Sequence, residues 1–277
     1  MAETTRISRQ LIGWSAAVLL FIGAGVTWYV LDPGFQSTRA QSDIVAGGPD
    51  DEFGQRVRDY LLANPEVIVE ALQTLEVRRQ QAEESEAQSL LNSRADDVFH
   101  DPESPVGGNP DGDVTMVEFF DYNCPYCRQV APIMIDAEAD DPELRIVYKE
   151  FPILGPGSIF AAKAALAAAR QGRYVEFHKA MMNASGRVDE ALTLSIAEEA
   201  GLDIERLKLD IQDPAVQAEI DGNIELAQAL RINGTPAFVI GDEILRGATD
   251  LETMTRLIEG ARRDGKATGS TAKDTAD

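Results

Sequence analysis

Two cysteines occur in the 277-residue chain, and they sit together as Cys124-Pro125-Tyr126-Cys127. An apolar run at residues 114–120 (VTMVEFF) precedes them, and a segment of helical character begins at residue 125. A strand that feeds a helix at this point places Cys124 at the N-cap and Pro125 in the first turn. The unpaired N–H groups and the dipole end at that position favour an anion. Cys124 is therefore the sulfur suited to react as a thiolate. Cys127 lies one helical turn on, faces the same sulfur, and can close a small disulfide with little backbone movement. In thiol–disulfide exchange Cys124 attacks and leaves, and a shielded Cys127 resolves the mixed disulfide.

Other readings of the pair have less material. Zinc takes four ligands, and no second cysteine pair exists. A c-type haem motif carries His after the second Cys, where this chain has Arg128. A purely structural disulfide across so short a loop stabilises little. No metal and no organic cofactor is expected. His100 and His178 are the only histidines, so chemistry that needs a His cluster is excluded. His100 falls in a loop and carries no signal. His178 lies in an amphipathic helix and reads as a surface or packing residue, and Met181-Met182 read as packing.

The elements that must position the pair follow from periodicity and breakers. Residues 114–120 and 145–151 (RIVYKEF) read as buried strands around a helix at 125–137. Residues 158–231 are almost wholly helical, in five pieces (158–171, 173–184, 188–200, 203–211 and 215–230) with Gly172, Gly186 and Gly201 as breakers. Two short strands at 237–240 and 244–246 flank a turn, and a last helix spans 251–263. The order βαβ, helical insert, ββα puts a helical insertion inside a small mixed sheet. The stretch 97–112 is rich in Pro, Gly and Asp and reads as a loop.

Before this domain come two helices, 53–63 and 65–92, with Asn64 as a cap and Pro65 at the first turn of the second. Their apolar stripe is narrow, and residues 78–86 are nearly all polar. Such a stripe packs either on the main domain or on copies of itself as a short coiled coil.

Phe119-Phe120-Asp121-Tyr122-Asn123 running into CPYC, together with Gly234-Thr235-Pro236-Ala237-Phe238, resembles the DsbA-like branch of the thioredoxin fold. The helical insert and Pro132, five residues after Cys127, agree with that branch. The resemblance implies an α/β thioredoxin-like domain over residues 96–263, with its insert at about 157–231 and a flexible tail at 264–277. It implies that Pro236 is a cis-proline facing the CxxC, with Thr235 offering its backbone to a client strand and Pro125 and Tyr126 beside it. It also implies that Glu118, six residues before Cys124, is the buried carboxylate that moves a proton for Cys127; a solvated edge position is the alternative. Lys149 in the neighbouring strand is its candidate ionic partner.

Two departures bear on direction. The inter-cysteine pair is Pro-Tyr where the oxidase type carries Pro-His, which removes one donor to the thiolate. Thr, not Val, precedes the proline. Both features resemble the isomerase and reductase relatives of the DsbC, DsbG and ScsC types. The segment 53–92 resembles the N-terminal oligomerisation arm of ScsC-like proteins. The resemblance thus implies a thiol–disulfide oxidoreductase for cysteines of exported proteins, with a membrane redox partner. The alternatives are a disulfide-introducing oxidase, or a tethered binding protein with a passive disulfide.

Residues 11–31 hold no charge and, at about 1.5 Å per residue, are long enough to span a bilayer core. Arg6 and Arg9 precede them, and Asp32 and the acidic group Asp50, Asp51, Glu52 follow, which orients residues 1–10 to the cytoplasm and the remainder to the periplasm. A signal peptide cleaved after Thr38-Arg39-Ala40 is the alternative, although the apolar run exceeds the usual signal core. Residues 32–52 read as a linker. With 47 acidic and 25 basic residues the formal charge is -22, which excludes nucleic acid as a general partner.

Overall fold

The computed structural model describes residues 52–266, so the expected anchor at 11–31 and the end of the tail lie outside the described residues. Among those described, no helix is long and apolar enough to cross a membrane. The elements in chain order are α1 (Glu52–Ala63), α2 (Glu66–Ser93), α3 (Ala95–Phe99), β1 (Val106–Gly108), β2 (Val114–Phe120), α4 (Pro125–Asp140) and β3 (Leu144–Glu150). The insert follows as α5 (Pro156–Ala169), α6 (Tyr174–Met182), α7 (Glu190–Glu199), α8 (Ile204–Asp210) and α9 (Pro214–Ala229). The chain then closes with β4 (Ala237–Ile240), β5 (Glu243–Arg246) and α10 (Leu251–Arg263).

The five strands form one sheet in the order β1-β3-β2-β4-β5. β2 runs parallel to β3 and antiparallel to β4, so the strand that leads to the cysteines is central. Side chains alternate across a strand, and here both faces are covered. Met116, Phe120, Ile146, Tyr148, Phe238 and Ile240 pack against α4, α10 and the insert helices. Val117, Phe119, Val147, Ala237 and Val239 pack on the other side against Leu91, Val98, Phe99, Leu226 and Leu230. A continuous apolar run such as VTMVEFF is what burial on both faces requires.

Two elements stand where the sequence reads as a loop. The single-turn helix α3 exists because Val98 and Phe99 are buried, at 0% and 1% exposure, and because Arg145 donates to the Phe99 carbonyl at 2.7 Å. Strand β1 is Val106-Gly107-Gly108, a composition poor in strand formers. It is held by antiparallel pairing with β3. Gly107 is required there, since a Cβ would stand 2.9 Å from the Tyr148 ring.

The helical segment ahead of the domain divides between Glu70 and Ala71 into two units. In the first, α1 and the start of α2 expose Phe53, Val57, Tyr60, Leu62, Ile68 and Val69. Asn64 does not cap α2 through its side chain; its amide donates to the Tyr60 carbonyl at 2.9 Å and closes α1. In the second unit the C-terminal end of α2 buries Ala87 and Leu91, Leu91 in the cluster beneath β2, and Glu86 pairs with Arg231 at 2.7 Å. The packing of this end on the main domain is thus direct, while Leu72, Leu75 and Val77 stay exposed.

Candidate active site

Cys124 is the N-cap of α4, with extended backbone (φ -76°, ψ 118°) and Pro125 in the first turn. Its N–H donates to the Asp121 carbonyl at 3.0 Å, and its own carbonyl accepts from Arg128 N–H at 3.2 Å. Both cysteines are free thiols. Cys124 retains 4% exposure and Cys127 none. Across the sheet, the Thr235-Pro236 peptide bond is cis, and the Cys124 thiol donates to the Thr235 carbonyl at 3.2 Å. The loop before β4 therefore reaches the sulfur from a segment more than a hundred residues away. Pro236 is buried and Thr235 half-buried, while Pro125 and Tyr126 are exposed, Tyr126 by 60%.

Behind the pair lies Glu118. Its neighbours in register are Tyr148 on β3 and Phe238 on β4. It is 2% exposed, and among the described residues it has no hydrogen-bond or ionic partner. Burial pushes its carboxyl up to about 8. Burial, and then the charge of Glu118, push the Cys127 thiol up. A Glu118 carboxylate and a Cys127 thiolate thus disfavour one another, so the pair holds a proton near neutral pH.

Lys149 is not the partner of Glu118. In the parallel register it stands opposite Phe119, on the other face of the sheet from Glu118 and Tyr148. Its ammonium, 1% exposed, pairs with Asp101 at 2.7 Å and ties down the segment after α3. Burial opposes ionisation of Asp101, but the hydrogen bond and charge of Lys149 hold its carboxyl below the usual range.

The loop Asp121-Tyr122-Asn123 is fixed by side chains that spacing alone does not single out. Asp121, 1% exposed, accepts from Asn123 N–H (2.7 Å), the Ser158 hydroxyl (2.7 Å) and Leu154 N–H (2.9 Å). Asn123 accepts from Val188 N–H (2.8 Å) and donates to the Val188 carbonyl (3.0 Å) and to Ser158 (3.1 Å). These bonds pin the active-site loop to α5 and to the start of the α7 segment. Gly157 permits the approach, since a Cβ there would collide with the Val188 carbonyl. Arg128 adds a third tie, donating to the carbonyls of Tyr122 (2.9 Å) and Gly186 (2.7 Å).

His178 packs rather than facing solvent. Its ring stands against Phe120, Tyr148 and Tyr174, with Nδ1 3.2 Å from the Tyr122 hydroxyl. Burial holds it down to about 3, so it is neutral. Tyr122 (3.1 Å) and Tyr174 (2.8 Å) both donate to Glu150, whose carboxyl burial pushes up. Met181 and Met182 are buried in the insert core.

Residues 115–259, more than half of the chain, match the DSBA-like thioredoxin domain. The chain belongs to the DSBA-like thioredoxin family. Residues 51–82 match a second family, the Copper resistance protein ScsC N-terminal domain. Among solved structures, a thioredoxin-like oxidoreductase from Silicibacter pomeroyi DSS-3 is 49% identical, covers 61% of this chain and 97% of its own, and has a TM-score of 0.60. Proteus mirabilis ScsC in a transitional conformation is 30% identical with a TM-score of 0.60, covering 77% of this chain and 96% of its own. A curated relative, the Na(+)/H(+) antiporter NhaA of Herminiimonas arsenicoxydans, is 32% identical over 165 residues, 59% of this chain and 26% of the antiporter. The chain thus spans about a quarter of the length of that relative.

Proposed function

We propose that this DSBA-like protein is a thiol–disulfide oxidoreductase that acts on cysteines of exported proteins in the isomerase or reductase direction. The observation that carries the reading is the sulfur geometry. The Cys124 sulfur stands at a helix start against the Thr235 carbonyl, with a fully buried Cys127 and a buried Glu118 behind it. In resolution, Cys127 gives its proton to the Glu118 carboxylate. The resulting thiolate attacks the Cys124 sulfur of a mixed disulfide, the Cys124–Cys127 bond forms, and the client leaves as a thiolate that takes a proton from water. Reduction of a client runs first through attack by Cys124 and then by this step. Thr235 and Pro236 position the client strand, and Pro125 and Tyr126 face it. The absence of a His donor between the cysteines supports the reducing direction over an oxidase.

Residues 11–31 anchor the chain, with the catalytic domain in the periplasm, and a membrane redox protein exchanges electrons with the pair. The exposed apolar row of α1 and α2 supports self-association through residues 53–92. Light scattering on the full chain in detergent tests this, since Leu72→Lys with Leu75→Lys then lowers the mass to that of one subunit. An unchanged mass removes the assembly role.

A Cys127→Ser variant tests the enzymatic reading. It accumulates mixed disulfides with exported proteins through Cys124, visible on non-reducing gels and abolished by Cys124→Ser. Their absence, together with no exchange by the wild-type protein, leaves a tethered binding protein instead.

A further inference from the structure

The segment that joins α6 to α7 carries an exposed arginine, Arg187, whose backbone is fixed on both sides to the active-site loop. On one side the Gly186 carbonyl accepts from Arg128 at 2.7 Å. On the other, Val188 exchanges two hydrogen bonds with Asn123, the residue before Cys124, at 2.8 and 3.0 Å. The Arg187 guanidinium leans over the loop that follows β3. Its Nη2 stands 4.0 Å from where a Gly155 Cβ would be, and apart from the adjoining residues nothing else comes as near. Leu154 and Ile153, 44% and 42% exposed, precede this glycine, and the Leu154 N–H is held by Asp121. Among the described residues Arg187 itself has no hydrogen-bond or ionic partner. Arg128 has no ion pair either, since it donates to the carbonyls of Tyr122 and Gly186. The neighbouring carboxylates are engaged elsewhere. Asp121 is buried with its three donors, and Asp189 caps α7 by accepting from Leu192 N–H at 2.9 Å. In a chain of formal charge -22, the insert side of Cys124 thus presents two guanidiniums with no carboxylate paired to either. A guanidinium is built to take a carboxylate through two parallel hydrogen bonds.

We propose that Arg187 selects clients that carry an acidic residue close to the reacting cysteine. The inference rests on the oxidoreductase reading and deepens it by naming the class of client. The Thr235 carbonyl meets the Cys124 sulfur from the loop before β4, whereas Arg187 and Gly155 belong to the insert. A client strand that is joined to Cys124 and lies along Thr235 advances about 3.3 Å per residue. Its residues one or two positions from the cysteine therefore reach the insert side. There the exposed apolar surface of Ile153 and Leu154 suits the methylene stem of a glutamate, and the guanidinium suits its head. Because the backbone at residues 186 and 188 is already fixed, less ordering is left to be done on binding. The rest of the protein repels acidic clients, but that repulsion is screened beyond a Debye length of about 8 Å at physiological salt. Arg187 thus reads charge beside the cysteine and not the net charge of the client. It takes no part in the transfer of electrons or protons; it positions the client for attack by Cys124.

The test compares short peptides whose single cysteine is disulfide-bonded to 2-mercaptoethanol. Twin peptides differ only in Glu or Gln two residues from the cysteine, one pair on its N-terminal side and one on its C-terminal side. Reduced full-length protein in detergent meets an excess of each. The Cys124–Cys127 pair gives two electrons to the peptide disulfide, which leaves as two thiols, and acid quenching, alkylation and mass measurement follow the oxidised protein. Rates of the same peptides with dithiothreitol correct for their own reactivity. In at least one pair the Glu peptide reacts about three- to five-fold faster at about 0.01 M salt, the upper range of an exposed ion pair, and the preference fades at about 1 M salt. Arg187→Gln abolishes the preference, Arg187→Lys keeps part of it and Arg187→Glu reverses it. Arg187 holds no other group in the fold, so these changes leave the protein folded. Arg173→Gln removes an exposed charge at the opposite end of α6 and keeps the preference. Equal rates for both pairs with wild type overturn the proposal while the exchange reading stands. So does a preference that survives Arg187→Gln and Arg187→Glu, or one that Arg173→Gln removes equally. Wild-type protein that no peptide oxidises overturns the oxidoreductase reading itself, and the selection with it.

Discussion

Replacing Glu118 with Gln separates the electrostatic cost of the site from its packing. The unfolded carboxyl ionises near its ordinary value of 4.5, whereas burial in the native protein holds it to about 8. A native carboxyl that keeps its proton longer than the unfolded one contributes stability that is complete below about pH 4.5 and is lost as pH rises toward 8. Each pH unit in that window costs about 1.4 kcal/mol, so wild type forfeits about 3 kcal/mol by pH 7 and of order 5 kcal/mol above pH 8. Gln keeps the shape of the protonated carboxyl and cannot ionise. Urea unfolding of the reduced protein at pH 5 to 9 reads the difference as a shift in midpoint. The variant is expected to match wild type near pH 5 and to exceed it progressively to pH 8, while resolution of mixed disulfides slows. Stability curves that run parallel across this range would refute the buried, unpartnered state of Glu118.

Asp121→Ala removes three acceptor contacts from the loop before Cys124, and the charged hydrogen bonds involved predict a loss of about 3 kcal/mol in calorimetry. His178 is expected to show no NMR titration between pH 5 and 8. Because its native value of about 3 lies below the ordinary 6.5, its contribution to stability falls as pH drops below about 6.5. Asp101→Ala strands the buried Lys149 ammonium and is expected to cost about 3 kcal/mol in urea midpoint, most of which returns on adding Lys149→Met.

The parts of this protein that read directly from sequence are those where local pattern and tertiary burial agree. VTMVEFF is apolar on both faces because β2 is central, and its strand limits follow from the pattern. The cysteines declare themselves by spacing and by the strand-to-helix junction. Where local pattern and burial disagree, the pattern misleads. Gly107 and Gly108 suggest a loop, yet they form an edge strand because Tyr148 occupies the room a side chain would need. Asp96 and Asp97 mask a helical turn held by the burial of Val98 and Phe99. Lys149 lies one position from the residue that faces Glu118, and a single step along a strand exchanges the two faces of a sheet. Asp121, Asn123 and Arg128 act on backbone groups up to 65 residues away, a relationship with no periodic trace. Polar residues crowded into FFDYN between a buried strand and a cysteine were the one signal available.

The reducing direction of exchange is tested most directly by the equilibrium of the Cys124–Cys127 pair with a glutathione redox buffer, followed by alkylation and mass measurement. It predicts two-electron behaviour with a reduction potential of about -180 to -200 mV or lower. A value near about -120 mV contradicts the reducing direction and assigns an oxidase. A pair that never equilibrates with the buffer, or that titrates as two independent thiols, contradicts the exchange chemistry altogether.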